Sequence, residues 1–307
     1  MKRFHAFPLL LALLLFSPLA AALDMDFRVV APGVYAYIGE TGPRSNENEG
    51  MNANSGFIVT DAGVVVVDSG STWKVAEKIH AAIRSVTKQP IKFVVNTGDQ
   101  DHRWLGNGYF KARGAEILAA RAAIDDLNAR GKMQIQSLAD ALKDKAAGTE
   151  MVLPTRTFDK KEVLQLGGRE IHLLHFHGGH TPGDSVVWLP MERVLFSGDL
   201  IYVDRLLGVL SFSNATNWLS SFAEMERLQP RVIIPGHGAV CDLPKAQRET
   251  RDYLRHMVDH MKRAVDGMVD MQIAIDSLDQ SSWQYLSNYE LLKGGNASRV
   301  YLEIESR

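Results

Sequence analysis

Four short segments, each closing an apolar run with a His or Asp set among Gly, Pro or Asn, constrain this chain more than anything else in it. They are Asn96-Thr97-Gly98-Asp99-Gln100-Asp101-His102 after the run Ile91–Val95, Gly179-His180-Thr181-Pro182-Gly183-Asp184, Phe196-Ser197-Gly198-Asp199-Leu200, and Ile234-Pro235-Gly236-His237-Gly238. Short β-branched runs stopped by turn residues read as buried strands. A polar residue just past such a run sits at the strand end, in the loop layer where ligands are bound. Four strands ending this way bring Asp101, His102, His180, Asp199 and His237 to one edge of a sheet.

In this order and at these distances the segments resemble the metallo-β-lactamase fold, a superfamily of mostly dinuclear zinc or iron hydrolases. The resemblance runs from about Val34 to Gly238, and it is specific because GHTPGD, SGD and PGHG occur together. Its flavour is that of exported metallohydrolases associated with the quinoprotein relay system and with sulfur oxidation. It implies an α/β fold, an αββα sandwich, here followed by a C-terminal helical extension.

The family's first motif is His-x-His-x-Asp-His, with Glu or Asp able to replace the second His. Two registers fit this chain. One matches Asp101-His102 to the terminal Asp-His pair, which puts Asp99 in the second position and Thr97 in the first. The other, without a gap, puts Gly98 and Gln100 at the two histidines and His102 at the Asp. The first is preferred because it keeps a carboxylate and an imidazole side by side; in both, the first histidine is missing. By resemblance, Asp101, His102 and His237 supply one metal site, Asp199 bridges, and His180 with Asp99 supplies the other. The implied cofactor is zinc, with one tight ion and a second that is weak or absent, and iron as the alternative. Asp99 and Asp101 stand as the carboxylates of the reaction, with Asp99 contacting a metal or its water. His177, in the same Gly-rich turn as His180, is a further candidate for the missing imidazole.

The N-terminus has Lys2 and Arg3, an apolar run Leu9–Phe16, then Pro18 and Ala20-Ala21-Ala22, the pattern of a cleaved signal peptide over residues 1–22. The apolar run is shorter than the about 20 residues of a membrane span. Residues 23–244 then form the main domain and 245–307 the helical extension packed on it. The expected location is the periplasm, without a membrane anchor once the signal is cleaved. Formal charge is −2, and there is no basic block, which argues against nucleic acid as a partner. The single Cys241 excludes an intramolecular disulfide and reads as a small core residue.

Strands are expected at Val34–Ile38, Ser55–Thr60, Val64–Asp68, Ile91–Val95, Glu116–Ala119, Glu162–Leu166, Glu170–Leu174, Ser185–Leu189, Val194–Phe196 and Val232–Pro235. Helices are expected at Thr72–Val86, Ala120–Ala147, Asn217–Leu228, Lys245–Asp276 and Asn296–Glu305, the last two offering a homodimer contact. The polar loop Gly39–Asn54 has too few apolar residues to order itself and reads either as a lid or as a mobile surface loop. Arg103, Trp104 and Tyr202 either face a substrate or pack. The expected activity is hydrolysis of a small ester, lactam, thioester or sulfur-containing molecule by metal-activated water. The alternatives are a degenerate, non-catalytic binding member of the fold and an iron-dependent enzyme handling sulfur or persulfide.

Overall fold

The computed structural model describes residues 23–307; the expected signal peptide lies outside the described residues. One sheet holds seven strands in sequential order, β1 (Arg28–Ala31), β2 (Val34–Tyr37), β3 (Ser55–Thr60), β4 (Gly63–Val67), β5 (Ile91–Asn96), β6 (Glu116–Ala120) and β7 (Arg156–Phe158). Pairing is antiparallel from β1 to β4 and parallel from β4 to β7. The second sheet runs β12 (Val232–Ile234), β11 (Val194–Phe196), β10 (Val186–Leu189), β9 (Arg169–Leu174) and β8 (Lys161–Leu166), with β11 and β12 parallel. β1 and β7 were not expected; both are short edge strands with little hydrophobic signal.

The two sheets face each other, and the alternation of side chains along each strand sorts the core. On β4, Val65 and Val67 join Ile58, Val95 and Leu118 against Ile171, Leu173, Val187, Leu189 and Phe196 of the other sheet. Val64 and Val66 point the opposite way and meet Val75, Ile79 and Ile83 of α1 (Trp73–Val86). α1 begins where the Thr72 side chain accepts from the Val75 N–H, a capping contact that ends the preceding turn. Two short helices, α2 (Asp101–Trp104) and α3 (Asn107–Lys111), follow β5, and α4 (Arg121–Leu142) follows β6. α5 (Ala215–Arg227) covers the second sheet through Trp218, Phe222 and Met225.

The C-terminal part is not one long helix. α6 (Leu243–Ala246) passes through a π-turn at Gln247–Arg251 into α7 (Asp252–Asp266), which stops at Gly267. Met268 then takes a positive φ of 55°, and α8 (Met271–Asp276) restarts after the Asp270 cap. α9 (Tyr289–Glu305) closes the chain, and α7, α8 and α9 share the core cluster of the second sheet. The π-turn has a local result: Thr250 Oγ1 accepts from Tyr202 N and donates to Tyr202 O, holding the strand that follows Asp199.

The loop 39–54 is ordered by the buried Met51 and by a set of polar contacts. The Asn54 side chain accepts from Gly39 N at 2.9 Å and donates to Pro235 O and Gly238 O, both at 2.8 Å. Asn54 is buried, so all three backbone groups depend on it. Asn54→Ala is expected to lower stability by about 2 kcal/mol or more, the cost of orphaned buried polar groups. Urea unfolding measures this, and an unchanged midpoint would contradict it.

Candidate metal centre

The site is built at the carboxyl ends of β4, β5, β11 and β12. β4 runs into Asp68, which holds a left-handed φ of 64°, a conformation kept only where surrounding contacts enforce it. Those contacts are Thr97 N at 2.7 Å, Thr97 Oγ1 at 2.8 Å and Arg103 Nη1 at 2.8 Å. Arg103 is 1% exposed. Its Nη2 donates to Asp199 Oδ1 at 2.6 Å and to Gly236 O at 3.2 Å, its Nε to Asp199 Oδ2 at 3.2 Å, and its Nη1 to Asn54 O at 2.8 Å. A side chain at position 236 would place its Cβ 2.7 Å from Arg103 Nη2 and from Asp199 Oδ1, so only glycine leaves room for this pair.

Asp199 is also faced by two imidazoles. His102 Nε2 lies 3.2 Å from Oδ2 and His237 Nε2 lies 3.2 Å from Oδ1. Burial penalises the Asp199 charge, but Arg103 and then His102 hold its carboxyl well below the ordinary range. His237 Nδ1 donates to Asn52 O at 2.9 Å, which makes Nε2 the nitrogen with the free lone pair. Burial pushes His237 down to about 3, so the ring is neutral near pH 7. A lone pair thus faces a carboxylate oxygen across 3.2 Å, an arrangement that a cation between them satisfies. His102 Nδ1 is buried without a hydrogen-bond partner. One ligand atom each from His102, Asp199 and His237 lies within 4.8 Å of the others. Tetrahedral ligands with bonds of about 2.0–2.2 Å stand roughly 3.3–3.5 Å apart, close to the spacing seen.

The other expected ligands go elsewhere. Asp101 pairs with Arg44, and its Oδ1 accepts from His102 N at 2.8 Å. Burial raises its carboxyl, but Arg44 and then His102 turn the net shift downward. Asp99 is fully buried away from the cluster, and neither oxygen has a hydrogen-bond partner. Burial, then Asp184 and Asp126, push its carboxyl well up. Asp99 thus lies apart from His102, Asp199 and His237, unlike the place at a metal that the gapped register implies. The reason is local: α2 begins at Asp101, so the alternation assumed for an extended turn stops there, and Gln100 turns inward instead. Gln100 Nε2 lies 3.1 Å from His180 Nε2, and Arg103 occupies the position after His102 that the motif gives to an imidazole. Asn96, Thr97 and Leu105-Gly106-Asn107, which match the family without a gap, were the signal for this register.

His180 sits beside the cluster but outside it. Its Nδ1 donates to Gly208 O at 2.8 Å, Tyr202 OH is 3.5 Å from its Nε2, and burial lowers it to about 4. Tyr202 stacks on His237 with centroids 4.7 Å apart. His177 is exposed, and Trp104 is core, donating to Gln134 Oε1. Arg205, not singled out by sequence, lies with Nη1 3.4 Å from His237 Nδ1, and its buried Nε has no partner. Burial lowers its guanidinium, and the neighbouring Arg44 charge adds to this.

Comparisons with known proteins place the chain in a family that agrees with this fold. Residues 49–237 match the metallo-β-lactamase superfamily. The chain belongs to that superfamily. It is 29% identical over 192 residues to a metallo-β-lactamase type 2 of Elizabethkingia meningoseptica, covering 60% of this chain and 68% of the relative. A linear primary-alkylsulfatase of a Pseudomonas species is 23% identical over 67% of this chain and 46% of its own length. The solved structure of a metallo-β-lactamase from Pontibacter korlensis superposes with a TM-score of 0.58 at 20% identity, over 75% of this chain and 98% of that one.

Of the two metal positions the superfamily implies, the residues fit one. His102, Asp199 and His237 offer the right donors at the right spacing. The other position would need imidazoles where Gly98 and Gln100 stand, and Gln100 already meets His180.

Two outcomes follow from the charges. Arg103→Met strands the buried Asp199 and Asp68 carboxylates and is expected to cost about 3–5 kcal/mol in urea unfolding; a loss below 1 kcal/mol would refute the ion-pair account. Burial raises Asp184 to about 7. The folded protein therefore keeps a proton that the unfolded chain releases near pH 4, and this contribution to stability falls as pH rises from about 4 to about 7. His180 and His237, lowered by burial, act with the opposite sign below about 6.5, so the comparison must be differential. Stability of the wild type minus that of Asp184→Asn should decline across pH 4–7; a constant difference would show that Asp184 is not held protonated.

Proposed function

We propose that this chain is an exported hydrolase that works with a single divalent metal, zinc by preference, on a small ester, lactam, thioester or sulfur-containing substrate. One observation carries the reading: Asp199 is clasped by Arg103 on one side and faced by Nε2 of His102 and of His237 on the other. The superfamily membership and the hydrolase names of the relatives support the reaction class. The basic, apolar and small-residue pattern of residues 1–22 supports export to the periplasm.

His102, Asp199 and His237 would hold the metal ion, whose chemistry there would be Lewis acidity and a lowered pKa for bound water. The protein's own groups prepare that position. Asn52 O fixes the His237 tautomer, and Tyr202 stacked on the ring limits its rotation. Arg103 keeps Asp199 ionised and fixes both of its oxygens. Arg205 places positive charge beside the cluster, which favours a substrate with an anionic group.

Elemental analysis of protein purified without a His-tag is expected to give about one zinc per chain, removed with activity by a chelator. His102→Ala and His237→Ala should abolish metal retention, whereas Asp99→Asn should leave it intact. Two metals per chain, or retention in His237→Ala, would overturn the single-site reading. A second reading rests on the donor set itself, since two imidazoles and one carboxylate also suit ferrous iron. Iron in place of zinc, with oxygen-dependent turnover of a thiol or persulfide, would favour it. A metal-loaded protein without turnover of ester, lactam or sulfate ester substrates would favour a binding role.

A further inference from the structure

The segment beyond the superfamily match reaches the histidine turn through a side chain of α9. Asn296, in α9, is fully buried. Its Nδ2 donates to Leu207 O at 2.8 Å and its Oδ1 accepts from Val209 N at 2.8 Å. The carboxamide thus pairs with the residues on either side of Gly208 as a neighbouring backbone strand would. Gly208 O is the acceptor for His180 Nδ1, also at 2.8 Å. Around Gly208 itself there is open space, with no atom within 4 Å of where a Cβ would be. The Gly208 carbonyl shares a planar peptide with the Val209 N–H, so the bond from that N–H to Asn296 Oδ1 fixes the direction of the carbonyl.

The same helix secures the rest of this loop. Arg299 Nη1 donates to Val209 O at 2.8 Å, and the Glu303 carboxylate accepts from Ala215 N at 2.6 Å, where α5 begins. The loop in turn grips the histidine turn: Ser213 Oγ donates to His180 O at 2.7 Å and Asn214 N to Gly179 O at 2.8 Å. With Nδ1 bound to Gly208 O, His180 must present the lone pair of Nε2 to Gln100 and Tyr202.

We propose that Asn296 is a positioning residue for His180, holding the Gly208 carbonyl that selects the Nδ1–H tautomer and aims Nε2 at the centre. The inference rests on the proposed function only in placing His180 beside the reacting groups; the orientation of the ring is a property of the folded chain.

The test is a long-range proton–nitrogen NMR correlation of the imidazole rings in full-length protein, with His180 assigned by its loss in His180→Gln. The wild type is expected to show the Nδ1–H tautomer alone. Asn296→Ala should show a mixture of tautomers and, where turnover is measurable, a fall in kcat of about 10- to 100-fold with KM changed less, the usual cost of a misplaced group. Asn296→Asp keeps the acceptor for Val209 N and drops the donor to Leu207 O, so it should fall between the two. It also carries the test should Asn296→Ala not fold. A folded Asn296→Ala, or Asn296→Asp, with the wild-type tautomer population would overturn the proposal. The NMR result stands even if the protein hydrolyses nothing, so a failure of the proposed function is told apart from a failure of this inference.

Discussion

Everything at the centre depends on a guanidinium buried between two carboxylates. Arg103 meets Asp199 with two nitrogens and Asp68 with a third, and its remaining contacts go to the backbone of Asn54 and Gly236. Burying three charges is costly, and it persists only when each is paired and fully hydrogen-bonded. That condition is met here, and meeting it ties β4, α2, the turn after β11, the loop before β3 and the turn after β12 into one unit. Where the superfamily motif carries an imidazole after the residue at 102, this chain carries a permanent cation. That cation fixes Asp199 beside His102 and His237 instead of offering a further ligand.

The electrostatics of the neighbouring groups follow from that choice. With its charge answered by Arg103, Asp199 stays ionised in a dry site and can face the neutral imidazole of His237. His237 and His180 are kept neutral by burial, and each has its Nδ1 committed to a backbone carbonyl, Asn52 O and Gly208 O. Both therefore present Nε2 inward. One carbonyl belongs to the polar loop over the site, the other to a loop braced by the last helix, so segments at both ends of the superfamily domain determine how the histidines point.

Some of this was legible in the sequence for plain reasons. Runs of valine and isoleucine broken by Gly, Pro and Asp mark buried strands whatever they pack against, which is why β3 to β6 and β8 to β12 lie close to where expected. A His or Asp in the turn that follows such a run must lie near the sheet edge, and His102, Asp199 and His237 do meet there. The order of the motifs then carried the fold class without knowledge of any contact.

Other features depended on distances that no local pattern contains. Whether Asp99 or Gln100 faced the histidines turned on where the first turn of α2 began, a matter of one residue decided by the Asp68–Thr97–Arg103 contacts across two strands. The loop 39–54 lacked apolar residues yet is fastened, because Asn54 finds partners some 180 residues away. Asn296 reads as an ordinary polar residue in a helix until α9 is laid against the loop at Gly208. Short-range periodicity and punctuation, set by backbone sterics and by the burial of apolar surface, determined the strands and the set of residues at their ends. Which of those residues turned inward was decided only when charges distant in the chain had to be paired in the same dry volume.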